Sequence, residues 1–131
     1  MRKNLDFTSY IDHYKYDKGA NFVNRLLLMQ NNIIKKLTRK EINSHLLLID
    51  GWAIKNDLKY ISKTFIFVGF KEAFSWMSSV SIEAEQLNHH PNWSNVYNKI
   101  EVKLFTHDVS GLSKKDFLMA SYMDQEFISG K

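Results

Sequence analysis

The chain has 131 residues, 44% of them hydrophobic, and a formal charge of +4. That is enough apolar material for one compact core, and too much for a disordered polar chain. There is no cysteine, which excludes disulfides, thiolate metal ligands and cysteine nucleophiles and fits a reducing compartment. No apolar run approaches the roughly 20 residues that span a bilayer. The N-terminus also lacks the apolar segment of a secretory signal.

The charge is unevenly placed. Residues 1–40 hold nine Lys/Arg against three Asp, a balance of +6, while residues 41–131 hold nine Lys/Arg against eleven Asp/Glu. A basic face can meet nucleic acid or a membrane, but a solvated extension is the plainer expectation. Residues 1–36 are accordingly read as a basic extension, helical or partly disordered, and 37–131 as the folded domain. Within the extension, Phe22 to Leu37 carries apolar residues at helical spacing. The segment is poor in Arg and Ser and holds three Asp, so it matches a mitochondrial transit peptide poorly. Tyr10, Tyr14 and Tyr16 lie near Lys15 and Lys18. Such interleaving is compatible with base stacking, but direct nucleic-acid binding is not expected.

Thr38-Arg-Lys-Glu41 is a capping box, opening a helix to about Ile49 that Asp50-Gly51 stops. Trp52–Ile54 and Tyr60–Val68 read as strands joined by a turn at Asn56-Asp57. In the second strand Ile61, Phe65 and Phe67 share one face. From Phe70 the apolar period changes to three and four, through Ala73, Phe74, Met77, Val80, Ala84 and Leu87, predicting an amphipathic helix of about 18 residues. Its geometry places Glu85 one turn before His89. Val96–Thr106 alternates as one half-buried strand. Ser113 and Asp116 suit the N-terminus of a last helix, whose apolar side is Phe117, Leu118 and Ala120. The order, after an optional N-terminal helix, is α-β-β-α-β-α. It predicts an α+β fold, an antiparallel sheet with helices packed on one face.

The chemistry gathers at a corner. His89 and His90 close the long helix, Pro91 pushes His90 toward an extended conformation, and His107 follows the last strand. Imidazoles give and take protons near neutral pH. Two on different elements could flank a small substrate, one protonating a leaving hydroxyl while the other removes a proton, as a dehydration needs. The same histidines with Asp108 or Glu85 could instead hold zinc or iron, although adjacent histidines lack the i,i+4 spacing of helical metal pairs. In the blandest reading His90 packs and His107 bonds a turn. His13 and His45 read as surface or helix-face residues, and Trp52 and Trp76 as core or interface. No nucleotide-binding glycine loop or nucleophile elbow is present.

Glu85-x-x-x-His89-His90-Pro91, then Tyr97, His107 and Asp116, resembles the signature of pterin-4a-carbinolamine dehydratases. Leu37-Thr38 with Glu41, Gly51-Trp52, Phe65-x-Phe67-x-x-Phe70, Asn95 to Lys99 and Gly111-Leu112-Ser113 extend the likeness over about residues 37–127. The resemblance implies dehydration of 4a-hydroxytetrahydrobiopterin to quinonoid dihydropterin, the recycling step behind aromatic amino acid hydroxylases. It implies His89 and His107 as the acid–base pair, with His90 binding and orienting the pterin. Asn88 and the Thr106–Asp108 turn would complete the pocket, and Glu85 would polarise a histidine. Pro91, Trp93, Tyr97 and Asp116 would be supporting residues, with Asp116 reading as a helix cap. Pterin would be the substrate, and no cofactor or metal would be needed. The resemblance also implies a homodimer or homotetramer built through strand edges and the Phe70–Asn88 helix. From composition, no membrane partner and a cytoplasmic location are expected. Organellar targeting by the extension stays open. Because one family member is a dimerisation cofactor for a homeodomain transcription factor, a non-enzymatic interaction protein is the alternative expectation.

Overall fold

A computed structural model describes residues 34–130. The Phe22–Leu37 helix, the tyrosines near Lys15 and His13 therefore lie outside the described residues or at their margin. The elements are α1 (Arg39–Leu46), β1 (Ala53–Lys55), β2 (Tyr60–Ile66), α2 (Phe70–Leu87), β3 (Asn92–Val96), β4 (Lys99–Leu104), a 3-10 turn (His107–Val109) and α3 (Lys114–Ser129). All strand pairings are antiparallel, in the order β1-β2-β4-β3. The fold is α+β.

Local chemistry starts the first and last helices where the sequence says it should. Thr38 Oγ1 accepts the Glu41 N–H at 3.2 Å, and Glu41 Oε1 accepts the Thr38 N–H at 3.0 Å, closing the capping box of α1. That backbone bond holds the Glu41 carboxyl below its ordinary value. A second box, Ser113 with Asp116, opens α3. Gly51 takes a left-handed φ of 78° after α1, a conformation that costs glycine little.

Alternation along β2 and β4 sends Ile61, Phe65, Ile100, Val102 and Leu104 to one face of the sheet, where all are buried. α2 and α3 cover that face with Ala73, Trp76, Val80, Ala84 and Leu87 from one and Phe117 to Ala120 and Met123 from the other. Phe65 is the hub, its ring centroid 4.6 Å from that of Trp76, 5.3 Å from that of Phe127 and 5.9 Å from that of Trp52.

Three expectations need correction. The single strand over Val96–Thr106 is a hairpin. β3 precedes β4, and the two turn through Tyr97-Asn98 with Tyr97 at φ 52°, so the order is α-β-β-α-β-β-α. The missed strand is an edge strand of mostly polar residues, whose inward side holds only half-buried Trp93 and Asn95. Its hydrophobic alternation is correspondingly weak. The second correction concerns α2. Phe70 and Phe74 do not share the buried stripe but stand 50% and 55% exposed, stacked on each other at 5.7 Å, while Trp76 takes the inward position. α2 thus has two apolar faces, one of them outside the core. The third is Glu85, taken up with the site below.

Candidate active site

The site forms where α2, β4 and α3 end or begin near one another. Asn88 adopts a left-handed conformation (φ 49°, ψ 48°) that ends α2. The chain then turns so that His89 points inward, 8% exposed, while His90 stays on the surface. The His89 N–H is held by the Ala84 carbonyl at 3.0 Å. β4 delivers Thr106, His107 and Asp108 to the opposite wall. Thr106 is fixed by its bridge to Gly111, Thr106 N–H to Gly111 O at 2.7 Å.

Asp116 ties these walls together. It is fully buried, and its carboxylate accepts three hydrogen bonds. One comes from the Ser113 backbone N–H at 2.9 Å, one from the Thr106 hydroxyl at 2.7 Å and one from His89 Nε2 at 2.6 Å. Because Thr106 donates to Asp116, the 2.6 Å contact between Thr106 and Ser113 is donated by Ser113. Such charge-assisted bonds can carry a buried carboxylate that would otherwise be costly. A carboxylate only accepts, so the His89 proton sits on Nε2 and leaves Nδ1 as the ring's acceptor.

A second histidine–carboxylate pair lies outside. His90 Nε2 is 3.0 Å from Glu85 Oε1, with both side chains exposed. Helical spacing pointed Glu85 at His89. The left-handed cap at Asn88 ends the helix before His89, so Glu85 serves His90 instead. Exposure makes this pair weak, worth well under 1 kcal/mol.

His89, His90 and His107 line one cleft of about 420 Å³ with Asn88, Thr106 and Asp108. All six residues expected to bind substrate therefore border the same space. Pro91 is half-buried at the corner, Trp93 packs on Trp76 at 6.1 Å, and Tyr97 is exposed on the β3–β4 turn. None of these three borders the cleft. Asp116 caps α3 as expected, and it also orients His89, which its spacing did not reveal.

Sequence reading missed three lining residues, Ile34, Phe105 and Lys115. Ile34 arrives because the arm before α1 lies along the Gly111 turn, with Leu37 N–H donating to Leu112 O at 2.8 Å. Phe105 and Lys115 flank recognised positions in sequence, and that adjacency was the only available signal. A larger groove of about 780 Å³ lies elsewhere, between the ends of β2, α2 and α3, and is largely apolar around Phe67, Trp76 and Phe127. It contains no histidine, whereas three line the smaller cleft.

The fold and site together define a class: an α+β domain whose helix ends converge on a buried histidine–carboxylate pair, with two more imidazoles on the same cleft. The family model for pterin 4 alpha carbinolamine dehydratase matches residues 35–126. A relative in Rhizobium meliloti (strain 1021) bearing the pterin-4-alpha-carbinolamine dehydratase name is 48% identical over 91 residues, covering 70% of this chain and 88% of its own. One in Christiangramia forsetii with the same name is 44% identical over 88 residues. The crystal structure of a transcriptional coactivator/pterin dehydratase from Brucella melitensis superposes with a TM-score of 0.68 at 37% identity, covering 70% of this chain and 98% of that one. The chain belongs to the pterin-4-alpha-carbinolamine dehydratase family, whose activity is that of a hydro-lyase.

Proposed function

We propose that this protein dehydrates 4a-hydroxytetrahydropterin to quinonoid dihydropterin, with His89 and His107 exchanging the protons. The observation that carries this reading is the 2.6 Å bond from buried His89 to Asp116 on the wall of a cleft shared with His107 and His90. The His89 Nδ1 lone pair takes the proton from N5, and the electron pair left on N5 forms the N5=C4a double bond. The C4a–O bond breaks as His107 protonates the hydroxyl, and water leaves. Atoms and charge balance, since His89 gains the proton that His107 loses, and solvent resets both. The imidazolium formed at His89 faces the Asp116 carboxylate, which stabilises it much as a buried acid does beneath a catalytic histidine elsewhere. Positioned proton transfer of this kind contributes about 10²–10⁴-fold, and holding both groups against one substrate avoids a further entropic cost. His90, steadied by Glu85, orients the ring together with Asn88 and Asp108. The chain's own groups account for each proton, so no metal or cofactor is required.

Purified protein should turn over synthetic 4a-carbinolamine in a stopped-flow assay with chelator present. Replacing His89 and His107 together with Ala should abolish that stimulation, and full activity in the double variant would sink the assignment.

A second reading is supported by the outward apolar face of α2, where Phe70, Phe74 and Ile82 are each half or more exposed. In it the helix docks on a second copy, giving a homodimer or homotetramer, or on a transcriptional partner of the sort the Brucella melitensis protein's description suggests. Assembly and catalysis use different surfaces, so the first form of this reading is compatible with the enzyme.

A further inference from the structure

Lys115 stands where two general preferences disfavour a lysine. It is the second residue of α3, at the positive end of the helix dipole, and it is only 7% exposed. Its stem is buried, while the ammonium at the tip keeps some exposure. Among the described residues no carboxylate lies within 4.0 Å of its ammonium, and its side chain makes no hydrogen bond. The adjacent carboxylate, Asp116, is already committed to Ser113, Thr106 and His89. The Lys115 side chain borders the cleft that holds the three imidazoles. An ammonium offers three donors and no acceptor. Lacking an acceptor in the protein, it is set to meet one on a ligand.

We infer that Lys115 is a substrate-binding residue whose ammonium donates to the carbonyl oxygen of the pterin pyrimidine ring. The inference rests on the dehydratase reading above. That ring presents its carbonyl beside N–H donors, and the cleft offers a matching pair, Lys115 for the oxygen and the Asp108 carboxylate for the donors. The carbonyl carbon adjoins the carbon that bears the leaving hydroxyl. A hydrogen bond there therefore anchors the reacting atom on the wall that His89 and Asp116 build.

The test compares two stable ligands by titration calorimetry, pterin and 2,4-diaminopteridine, in which an amino donor replaces the carbonyl acceptor. Wild type should prefer pterin by about tenfold or more, the usual effect of one hydrogen bond to a charged group. Lys115→Met, which keeps most of the stem, should lose that preference by weakening pterin alone. In turnover it should raise KM about tenfold and leave kcat within about threefold. Lys115→Arg should restore most of the preference. Equal weakening of both ligands would show a packing role for the stem and overturn the inference, as would unchanged pterin affinity. Should Lys115→Met fail to fold, wild type decides alone, since equal affinity for the two ligands overturns the assignment. Absence of carbinolamine turnover by wild type would sink the dehydratase reading itself, a separate result because binding is read by heat.

Discussion

Asp116 accepts from a backbone N–H, a hydroxyl and an imidazole at once, and only the last of these enters the proposed proton transfer. Asp116→Asn keeps the shape but turns an amide donor toward His89 Nε2, which drives the ring into the tautomer protonated on Nδ1. In that tautomer Nδ1 no longer accepts. The expected outcome is a fall in kcat of about 10²-fold or more with a folded protein, read by stopped-flow turnover beside thermal unfolding. A kcat within threefold of wild type would remove the pair from the mechanism. A different histidine governs acid stability. His45 is on the inner side of α1, 8% exposed, with its ring 5.1 Å from that of Phe117. Burial, with Lys114 adding, pulls its pKa down to about 4. The fold therefore favours the neutral ring, whereas the unfolded chain takes up a proton below about pH 6.5. The contribution is complete above that pH and is lost as pH falls toward 4. Between pH 7 and 5 this should cost on the order of 1–2 kcal/mol. His45→Gln should flatten that part of the profile in denaturant titrations, and parallel profiles would refute the attribution.

At the scale of elements, β2 carries Lys63 on the inward face, between Ile61 and Phe65, where alternation calls for an apolar residue. Its ammonium bonds Asp124 of α3 at 2.7 Å and the Asp50 carbonyl at 2.7 Å, while Trp52 Nε1 donates to the same carboxylate at 3.0 Å. These bonds pin α3 to the β1–β2 side of the sheet. Burial still raises the Asp124 carboxyl above its ordinary range despite Lys63 and Trp52. Its charged form therefore penalises the fold at neutral pH, and protonation relieves the penalty as pH falls. Lys63→Met, which strands that charge, should cost roughly 1–3 kcal/mol at pH 7, below the full value for a buried pair because both side chains keep some exposure. The loss should shrink on acidification as Asp124 protonates, and a pH-independent loss would point to packing alone. Elements with local signals were readable in the sequence. Both capping boxes need only residues three apart, and α2 announces itself by period. β3 was not readable, because an edge strand facing solvent on one side and a single tryptophan on the other has little alternation to show. Glu85 meets His90 rather than His89 because the left-handed turn at Asn88 ends helical geometry one residue before His89.

At the scale of the molecule, the described residues present two separate surfaces, the histidine cleft and the apolar ground formed by the large groove and the outer side of α2. Phe70, Phe74 and Ile82 are exposed apolar residues of α2, the face on which assembly is proposed. Phe74→Glu should convert an assembly of 15.4 kDa chains to monomers by light scattering while leaving the histidine cleft unaltered. An unchanged mass would place assembly on another surface. The amino-acid sequence by itself determined where most elements lie, which residues cap the first and last helices, and that three imidazoles fall at the ends of a helix and a strand. These properties depend on neighbours a few residues apart. Only the tertiary structure decided that His89 rather than His90 receives a buried carboxylate, that this carboxylate is Asp116, 27 residues away, and that Lys115 shares their cleft. Such pairings depend on the β4–β3 register and on how α3 packs across the sheet, and no local spacing encodes them.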